Sequence, residues 1–340
     1  MEKYRKIIID TEGSDKGPEM MIRGAAEALR AHPTLSVVLV GKRALIEGEC
    51  EKLGVAPERV EIIEANDVIT NYDSPATAIF GKPDSTLVVA LSALAERDDI
   101  DGMINAGNTG ALIAGAMRFL SAPDRVRPAL CAVLPGANGN FTCLVDTGAT
   151  VDCTPAMLHH FARLGSDFMK KYYAIDEPKV ALLSNGAEST KGNKAVKEAY
   201  PLLEADGDIS FIGNFEGTRA LSGECDVLVA DGFAGNQVLK VSEGIARRII
   251  TDIVKYSKKT GEENIMKLVG YLMGIYDFNS LGGGILLGIR KPVIKAHGAA
   301  NEQSIVSTSG ILLNMLENKS VFDEKIIFTD GNIKNLKIRK

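Results

Sequence analysis

The sequence predicts an α/β fold with a mostly parallel, doubly wound sheet, and three observations carry that reading. Apolar runs of strand length alternate with helical patterns along most of the chain. Polar, glycine-bearing loops follow several of these runs, near Asp10, Asn105, Asn185 and Asp231. The stretch Asp226 to Lys240 shows the grammar most fully. Val227 to Ala230 reads as a buried strand, Asp231-Gly232 breaks it, and a helical pattern starts near Asn236. That pattern places Val238, Leu239, Val241, Ile245 and Ile249 on one face. A tight turn with an Asn cap is the bland account of one such loop; recurrence favours a site. In an open α/β sheet, ligands bind beyond the carboxyl ends of the strands.

Taken in order, Lys6 to Ile9 is the first strand, and Pro18 precedes a helix from Met21 to Leu29. Ser36 to Val40 is a strand, Ala44 to Leu53 a helix, and Val60 to Ile63 a strand. Asn66 to Ser85 is rich in breakers and reads as loop. A helix covers Thr86 to Arg97, a strand Gly102 to Asn105, and a helix Leu112 to Leu120. Ala129 to Leu134 and Thr142 to Asp146 form an expected antiparallel hairpin. The second half predicts a helix at Met157 to Lys171, a strand at Val180 to Leu183 and a helix at Ala195 to Leu203. A strand follows at Ile209 to Ile212, before Val227. Residues 243–280 read as a helical excursion within one large domain spanning 1–340, its apolar part holding Ile265, Leu268, Val269, Leu272 and Met273. Three readings of that apolar face stand: a dimer contact, a membrane-touching or acyl-shielding tip, or internal core. A Gly-rich turn precedes the strand Val293 to Ala296, a last helix spans Glu302 to Asn318, and the tail from Lys334 is basic.

Composition narrows the class. Hydrophobic residues make up 45% and charged residues 24%, as in ordinary soluble proteins. A net charge of -5 argues against nucleic-acid binding, which needs a basic field. Neither a signal peptide nor an apolar run of roughly 20 residues is expected to send the chain to or through a membrane. Five cysteines without a Cys-x-x-Cys pair suit reduced thiols in a cytoplasm.

Several chemistries lack their motifs. The chain has no Gly-x-Gly-x-x-Gly after a strand, no P-loop, no Gly-x-Ser-x-Gly and no His-Glu-x-x-His. With four histidines, no metal site is expected. Anion-friendly loops remain. Gly107-Asn108-Thr109-Gly110 offers backbone N–H groups at a helix start. Lys191-Gly192-Asn193 places a cation at another, and Asp231, Gly232, Gly235 and Asn236 flank a third. Lys240 lies about one turn further, facing ligand or solvent, and His297-Gly298 ends a strand.

These residues bring out a resemblance. Asn105-Ala-Gly-Asn-Thr-Gly-Ala111, Lys191-Gly-Asn193, Phe211-Ile-Gly-Asn-Phe-Glu-Gly217, Asp226 to Lys240 and Gly283 to Gly298 resemble, in order and spacing, the bacterial acyl-ACP:phosphate acyltransferase family, PlsX. The resemblance implies a Rossmann-like three-layer α/β/α fold related to phosphotransacetylases. It also implies a homodimer able to touch the membrane surface, and acyl transfer from acyl carrier protein to inorganic phosphate for phospholipid synthesis, with no organic cofactor. The opening loop Asp10-Thr-Glu-Gly-Ser-Asp15, the stretch Ile79 to Ser85 and Asp146-Thr-Gly-Ala-Thr150 depart from the family pattern. Basic residues lost around Lys82 bear on recognition of an acidic carrier. A short-chain phosphotransacylase using a CoA- or protein-bound thioester, and a non-catalytic acyl- or carrier-binding subunit, are the alternatives.

Phosphate is itself nucleophilic and a thiolate leaves readily, so such an enzyme needs placement and oxyanion stabilisation rather than a covalent intermediate. The expected roles follow. Lys191 and the Asn108-Thr109 backbone bind phosphate, with Asn193 and Asn236 as further donors. His297 protonates the sulfur or polarises the carbonyl, and Asp231 orients a donor. Asp10, Gly107, Gly110, Gly192, Asn214, Gly232, Gly235 and Gly298 complete the expected binding surface. Cys153 is the rival nucleophile, disfavoured by its neighbour Asp152.

Overall fold

The structure, a computed structural model, describes residues 4–121, 126–276 and 283–317. The chain opens with β1 (Arg5–Asp10), α1 (Pro18–Ala31), β2 (Leu35–Gly41), α2 (Arg43–Lys52) and β3 (Val60–Glu64). Then come α3 (Pro75–Gly81), α4 (Thr86–Glu96), β4 (Gly102–Asn105) and α5 (Thr109–Phe119). The hairpin β5 (Ala129–Pro135) and β6 (Phe141–Val145) is antiparallel, as the turn chemistry predicted. After it run α6 (Pro155–Tyr172), β7 (Lys179–Leu183), α7 (Lys194–Glu204), β8 (Ser210–Phe215) and β9 (Val227–Val229). The last described elements are α8 (Gly232–Thr260), α9 (Glu263–Tyr276), β10 (Gly284–Leu287), β11 (Val293–Lys295) and α10 (Glu302–Glu317). The basic tail from Lys334 and the end of the expected helical excursion at 277–280 lie outside the described residues.

All eleven of these strands join one sheet in the order β3-β2-β1-β4-β11-β10-β5-β6-β9-β7-β8. Two parallel halves flank a centre of three antiparallel pairings, β11 with β10, β10 with β5, and β5 with β6. The two halves therefore run in opposite directions within the sheet. Neighbouring strands also rotate by roughly 20–25°, so seven steps from β1 to β7 turn the strand direction by roughly 150°. Helices cover both faces. Ile7 and Ile9 of β1 join the layer of α1, α6, α7 and α10, while Ile8 faces α4 and α5. On the far half, Leu228 and Ala230 pack with Leu239 of α8.

Three local expectations are corrected. The stretch 66–85 contains α3, because its breakers bound a short apolar segment instead of interrupting one; Pro75 opens the helix and Ala78 and Ile79 are buried. The Gly-rich stretch before Val293 contains β10, since Ile285, Leu286 and Leu287 are apolar and pair on both sides. Gly283 has φ +72, and a Cβ there would lie 2.2 Å from the Lys295 carbonyl oxygen, so glycine is required where β10 meets β11.

The third correction concerns α8. It starts at Gly232, capped by Asp231 rather than by an Asn near 236. Its expected apolar face divides as the helix leaves the sheet. Leu239 is buried, but Val241, Ile245 and Ile249 are 55%, 56% and 52% exposed. On α9, Val269 is buried while Met266, Leu268, Tyr271 and Met273 are exposed.

Candidate active site

A cavity of about 330 Å³ lies over the central antiparallel strands, between the start of α5 and the first three turns of α8. Its floor is Leu130, Ala132 and Val133 of β5, and Gly283-Gly284 leads into it from β10. Thr109 enters from α5, and Lys295, Ala296, His297 and Gly298 from the end of β11. Asn236, Lys240 and Glu243 project from α8 at spacings of four and three, which puts them on one helix face.

Strand pairing brings these elements together. β11 lies parallel to β4 with Lys295 beside Asn105, and the Ala296 N–H donates to the Asn105 carbonyl at 2.8 Å. The loop after β11 therefore emerges next to the start of α5. Asn108 caps that helix, accepting the Ala111 N–H at 2.9 Å, and donates its amide to the Thr70 carbonyl at 2.9 Å. Thr109, the first residue of α5, lines the cavity, and the N–H groups of a first helical turn have no partners within the helix. Such a turn favours an anion.

Lys295 is buried at the carboxyl end of β11, and its ammonium donates to the Ala296 carbonyl. Burial pulls its pKa down to about 8, against the opposing charges of Asp15 and Asp10. Lys240 Nζ contacts Glu243 Oε2 at 2.9 Å and lies 3.5 Å from His297 Nδ1. His297 Nε2 is 3.5 Å from Glu243 Oε1. Burial, with the Lys240 charge beside it, lowers the His297 pKa, so the imidazole is neutral at neutral pH. The cavity thus joins two lysines, a neutral imidazole and a helix start around one carboxylate. That balance suits a phosphate-like anion.

The predicted site residues fall into three groups. Thr109, Asn236, His297 and Gly298 line the cavity. A second group builds its walls. Asp10 is buried and takes the Asn105 amide at 2.8 Å; Asn105 in turn accepts the Gly107 N–H at 3.0 Å. A Cβ on Gly110 would lie 2.7 Å from Pro75 Cγ, so that glycine allows close packing of α3 on α5. Gly232 and Gly235 approach backbone, not ligand. The Gly232 N–H donates to the Thr150 carbonyl at 2.8 Å, and a Cβ on Gly235 would fall 1.9 Å from the Asp146 carbonyl oxygen.

A third group gathers outside the cavity, beyond the N-terminus of α8. Asn193 caps α7 through the Val196 N–H at 2.9 Å and reaches Asp231 at 3.4 Å. The Gly192 N–H donates to Asn185 Oδ1 at 2.8 Å, and Lys191 is exposed beside it. Asn214 is buried and donates to the Glu188 carbonyl at 2.8 Å.

Glu243, Lys295, Thr147 and Gly148 also line the cavity and were not singled out from the sequence. Lys295 had a signal: a lysine directly after the apolar pair Val293-Ile294 sits at the end of a buried strand. Glu243 had none, since an i,i+3 carboxylate beside Lys240 reads as an ordinary helix pair. Cys153 is pushed up to about 12 by burial, so it is a thiol and not a nucleophilic thiolate. Among the described residues no cluster of three or more His, Cys, Asp or Glu is placed to hold a metal ion.

Comparison with known proteins bears on this site. Residues 5–318 match the family model described as fatty acid synthesis protein. The phosphate acyltransferase of Thermoanaerobacter pseudethanolicus is 38% identical over 320 residues, covering 92% of this chain and 94% of its own. That of Halothermothrix orenii is 39% identical over 311 residues, covering 88% and 91%. Two solved structures share the fold at low identity. A phosphotransacetylase from Streptococcus pyogenes superposes with TM-score 0.61 at 18% identity, covering 93% of this chain and 94% of its own. The EutD phosphotransacetylase of Staphylococcus aureus gives 0.58 at 15%, covering 92% and 94%.

Proposed function

The chain belongs to the fatty acid synthesis protein family and is an acyltransferase that passes an acyl group to phosphate; from that premise we propose that its donor is the thioester of acyl carrier protein. The observation that carries phosphate as the acceptor is the convergence of Lys240 and Lys295, from separate elements, on a cavity that also receives the first turn of α5. Hydrogen phosphate sits between the two ammonium groups, its remaining charge met by the N–H groups near Thr109.

In the reaction a phosphate oxygen attacks the thioester carbonyl, the new C–O bond forms, and the C–S bond breaks. The sulfur leaves as thiolate and ends as thiol, taking up the proton that hydrogen phosphate gives up. Placement of the two reactants and charge stabilisation supply the rate. Lys295 and Lys240 stabilise the charge that spreads over phosphate and carbonyl oxygen. Neutral His297 is better suited to orienting Lys240 and the phosphate than to acting as a charged acid. Asn236 offers its amide to the reacting carbonyl. Lys191 and Asn193, beyond the N-terminus of α8, meet the donor's arm rather than the phosphate in the cavity.

The acyl-carrier reading draws support from α8 beyond the cavity, where Arg247, Arg248, Lys255, Lys258 and Lys259 present cations suited to an acidic carrier. We also propose a homodimer formed through the exposed apolar residues of α8 and α9, including Ile245, Ile249, Tyr256, Met266 and Tyr271. A peripheral membrane contact is the second reading of that face. No described helix is long and apolar enough to cross a membrane.

The test is phosphate-dependent thiol release from palmitoyl carrier protein, palmitoyl-CoA and acetyl-CoA in parallel. Release chiefly from the carrier-protein substrate is expected. Release from acetyl-CoA alone would move the chain to short-chain phosphotransacylase chemistry, and no release from any donor would leave a binding subunit.

A further inference from the structure

We propose that Glu243 is the positioning residue of the cavity, holding the Lys240 ammonium and the His297 imidazole in the arrangement that receives phosphate. The inference rests on the acyl-transfer reading of this site. Among the described residues Glu243 is the one carboxylate that lines the cavity, and its side chain is only 11% exposed. An anion beside a phosphate site costs binding energy unless it does something else there. What it does is visible in its two oxygens. Oε2 accepts from Lys240 Nζ at 2.9 Å. Oε1 is buried without a hydrogen-bond partner, yet lies 3.5 Å from His297 Nε2. A buried acceptor left unmade is expensive, and the imidazole N–H is the donor nearest to hand.

The third side of the triangle fixes the ring. Lys240 Nζ, a donor only, lies 3.5 Å from His297 Nδ1. The tautomer with its proton on Nε2 presents a lone pair to Lys240 and an N–H to Glu243. The other tautomer would set donor against donor and lone pair against carboxylate. Glu243 therefore selects the tautomer and turns the ring, and the ring in turn restrains Lys240. Contacts of 3.5 Å are at the outer edge of hydrogen bonding, and phosphate bound between Lys240 and Lys295 would draw the triangle tight. The charged groups facing His297 are Lys240, Glu243 and Arg247 from α8 and Lys295 from β11, so Glu243 is the one negative charge among these.

The experiment is a double-mutant cycle on the full chain with Glu243→Gln, Lys240→Met and the pair combined. It reads the Kd of inorganic phosphate by calorimetry and kcat/KM for phosphate by thiol release. Glu243→Gln is expected to weaken phosphate binding by roughly 10- to 100-fold and to raise KM more than it lowers kcat. The combined variant should be no weaker than Lys240→Met alone, because Glu243 acts through Lys240. The acid limb of kcat/KM in Glu243→Gln should move to lower pH, since the carboxylate that raises the His297 pKa is gone. Glu243→Asp should recover part of the loss. Additive losses in the cycle, or unchanged phosphate binding with an unmoved acid limb, would overturn the proposal. A wild-type chain that releases no thiol would overturn the acyl-transfer reading, and the calorimetric cycle would still decide the role of Glu243.

Discussion

Asn105 donates its side-chain amide to Asp10 Oδ2 at 2.8 Å and accepts the Gly107 N–H at 3.0 Å. One side chain thus ties the end of β1 to the loop that launches α5. The carboxylate it holds is buried, and burial pushes the Asp10 pKa up to about 6 from an ordinary 3.8. The folded chain keeps a proton that the unfolded chain releases between these values. The stability contributed by this group is therefore full below pH 3.8 and is lost as pH rises through about 6. Asp10→Asn should then unfold at higher temperature than wild type above pH 6, by roughly 2–3 kcal/mol, and show no advantage near pH 4. Thermal melts across that range are the check; a gain independent of pH would be incompatible with a protonation cost.

Lys295 should control the alkaline limb of activity. Its pKa of about 8 means that the free enzyme loses a buried cation as pH rises through that value. We expect kcat/KM for phosphate to fall above pH 8, and Lys295→Met to lower it by roughly 100-fold at pH 7 while abolishing that break. Rate profiles between pH 7 and 9.5 decide. A break that persists in Lys295→Met belongs to another group.

Lys240 and Lys191 should separate. Lys240 lines the cavity, while Lys191 precedes Asn193, which meets Asp231 at the α8 cap, about 13 Å of helical rise before Lys240. Lys240→Met should raise the phosphate KM by at least roughly tenfold. Lys191→Ala should change phosphate KM less, and act more on the KM of the acyl donor. Equal effects of the two substitutions on phosphate KM would place Lys191 at the anion itself.

Two glycines of α8 should respond in opposite directions to alanine. At Gly235 the added methyl would meet the Asp146 carbonyl at 1.9 Å, forcing the helix start off the sheet at a cost of about 3 kcal/mol or more. At Gly244 nothing lies within 4 Å, so helix propensity alone decides and alanine should stabilise by roughly 0.5–1 kcal/mol. Denaturant midpoints of the two variants test the pair.

Alternation of strand and helix was legible because buried parallel strands are apolar throughout, and the β5–β6 hairpin because its turn is glycine-rich. The reversal between the two halves was not, since pairing direction is set by partners far away in the chain. At the site, His297, Thr109 and Asn236 announced themselves by position at strand and helix ends. Glycines and caps misled in part. Gly232, Gly235 and Asn108 have the residue types of a ligand loop but spend them on backbone packing and helix capping. Lys295 carried a signal in its place after Val293-Ile294 that was passed over, whereas Glu243 stayed hidden because an i,i+3 carboxylate looks ordinary until the cavity beside α8 is seen.

The pairing of β4 with β11 joins Met103 to Val293, residues 190 positions apart. Closing a loop over that span costs entropy, and the seam cannot form before β11 exists. Lys295 and His297 reach the start of α5 only once it has formed. A growing polypeptide that has not reached β11 therefore carries Lys240 and the α5 turn without Lys295 and His297, and phosphate can be gripped only after that strand has been made. Products that stop before β11 are then inert by construction.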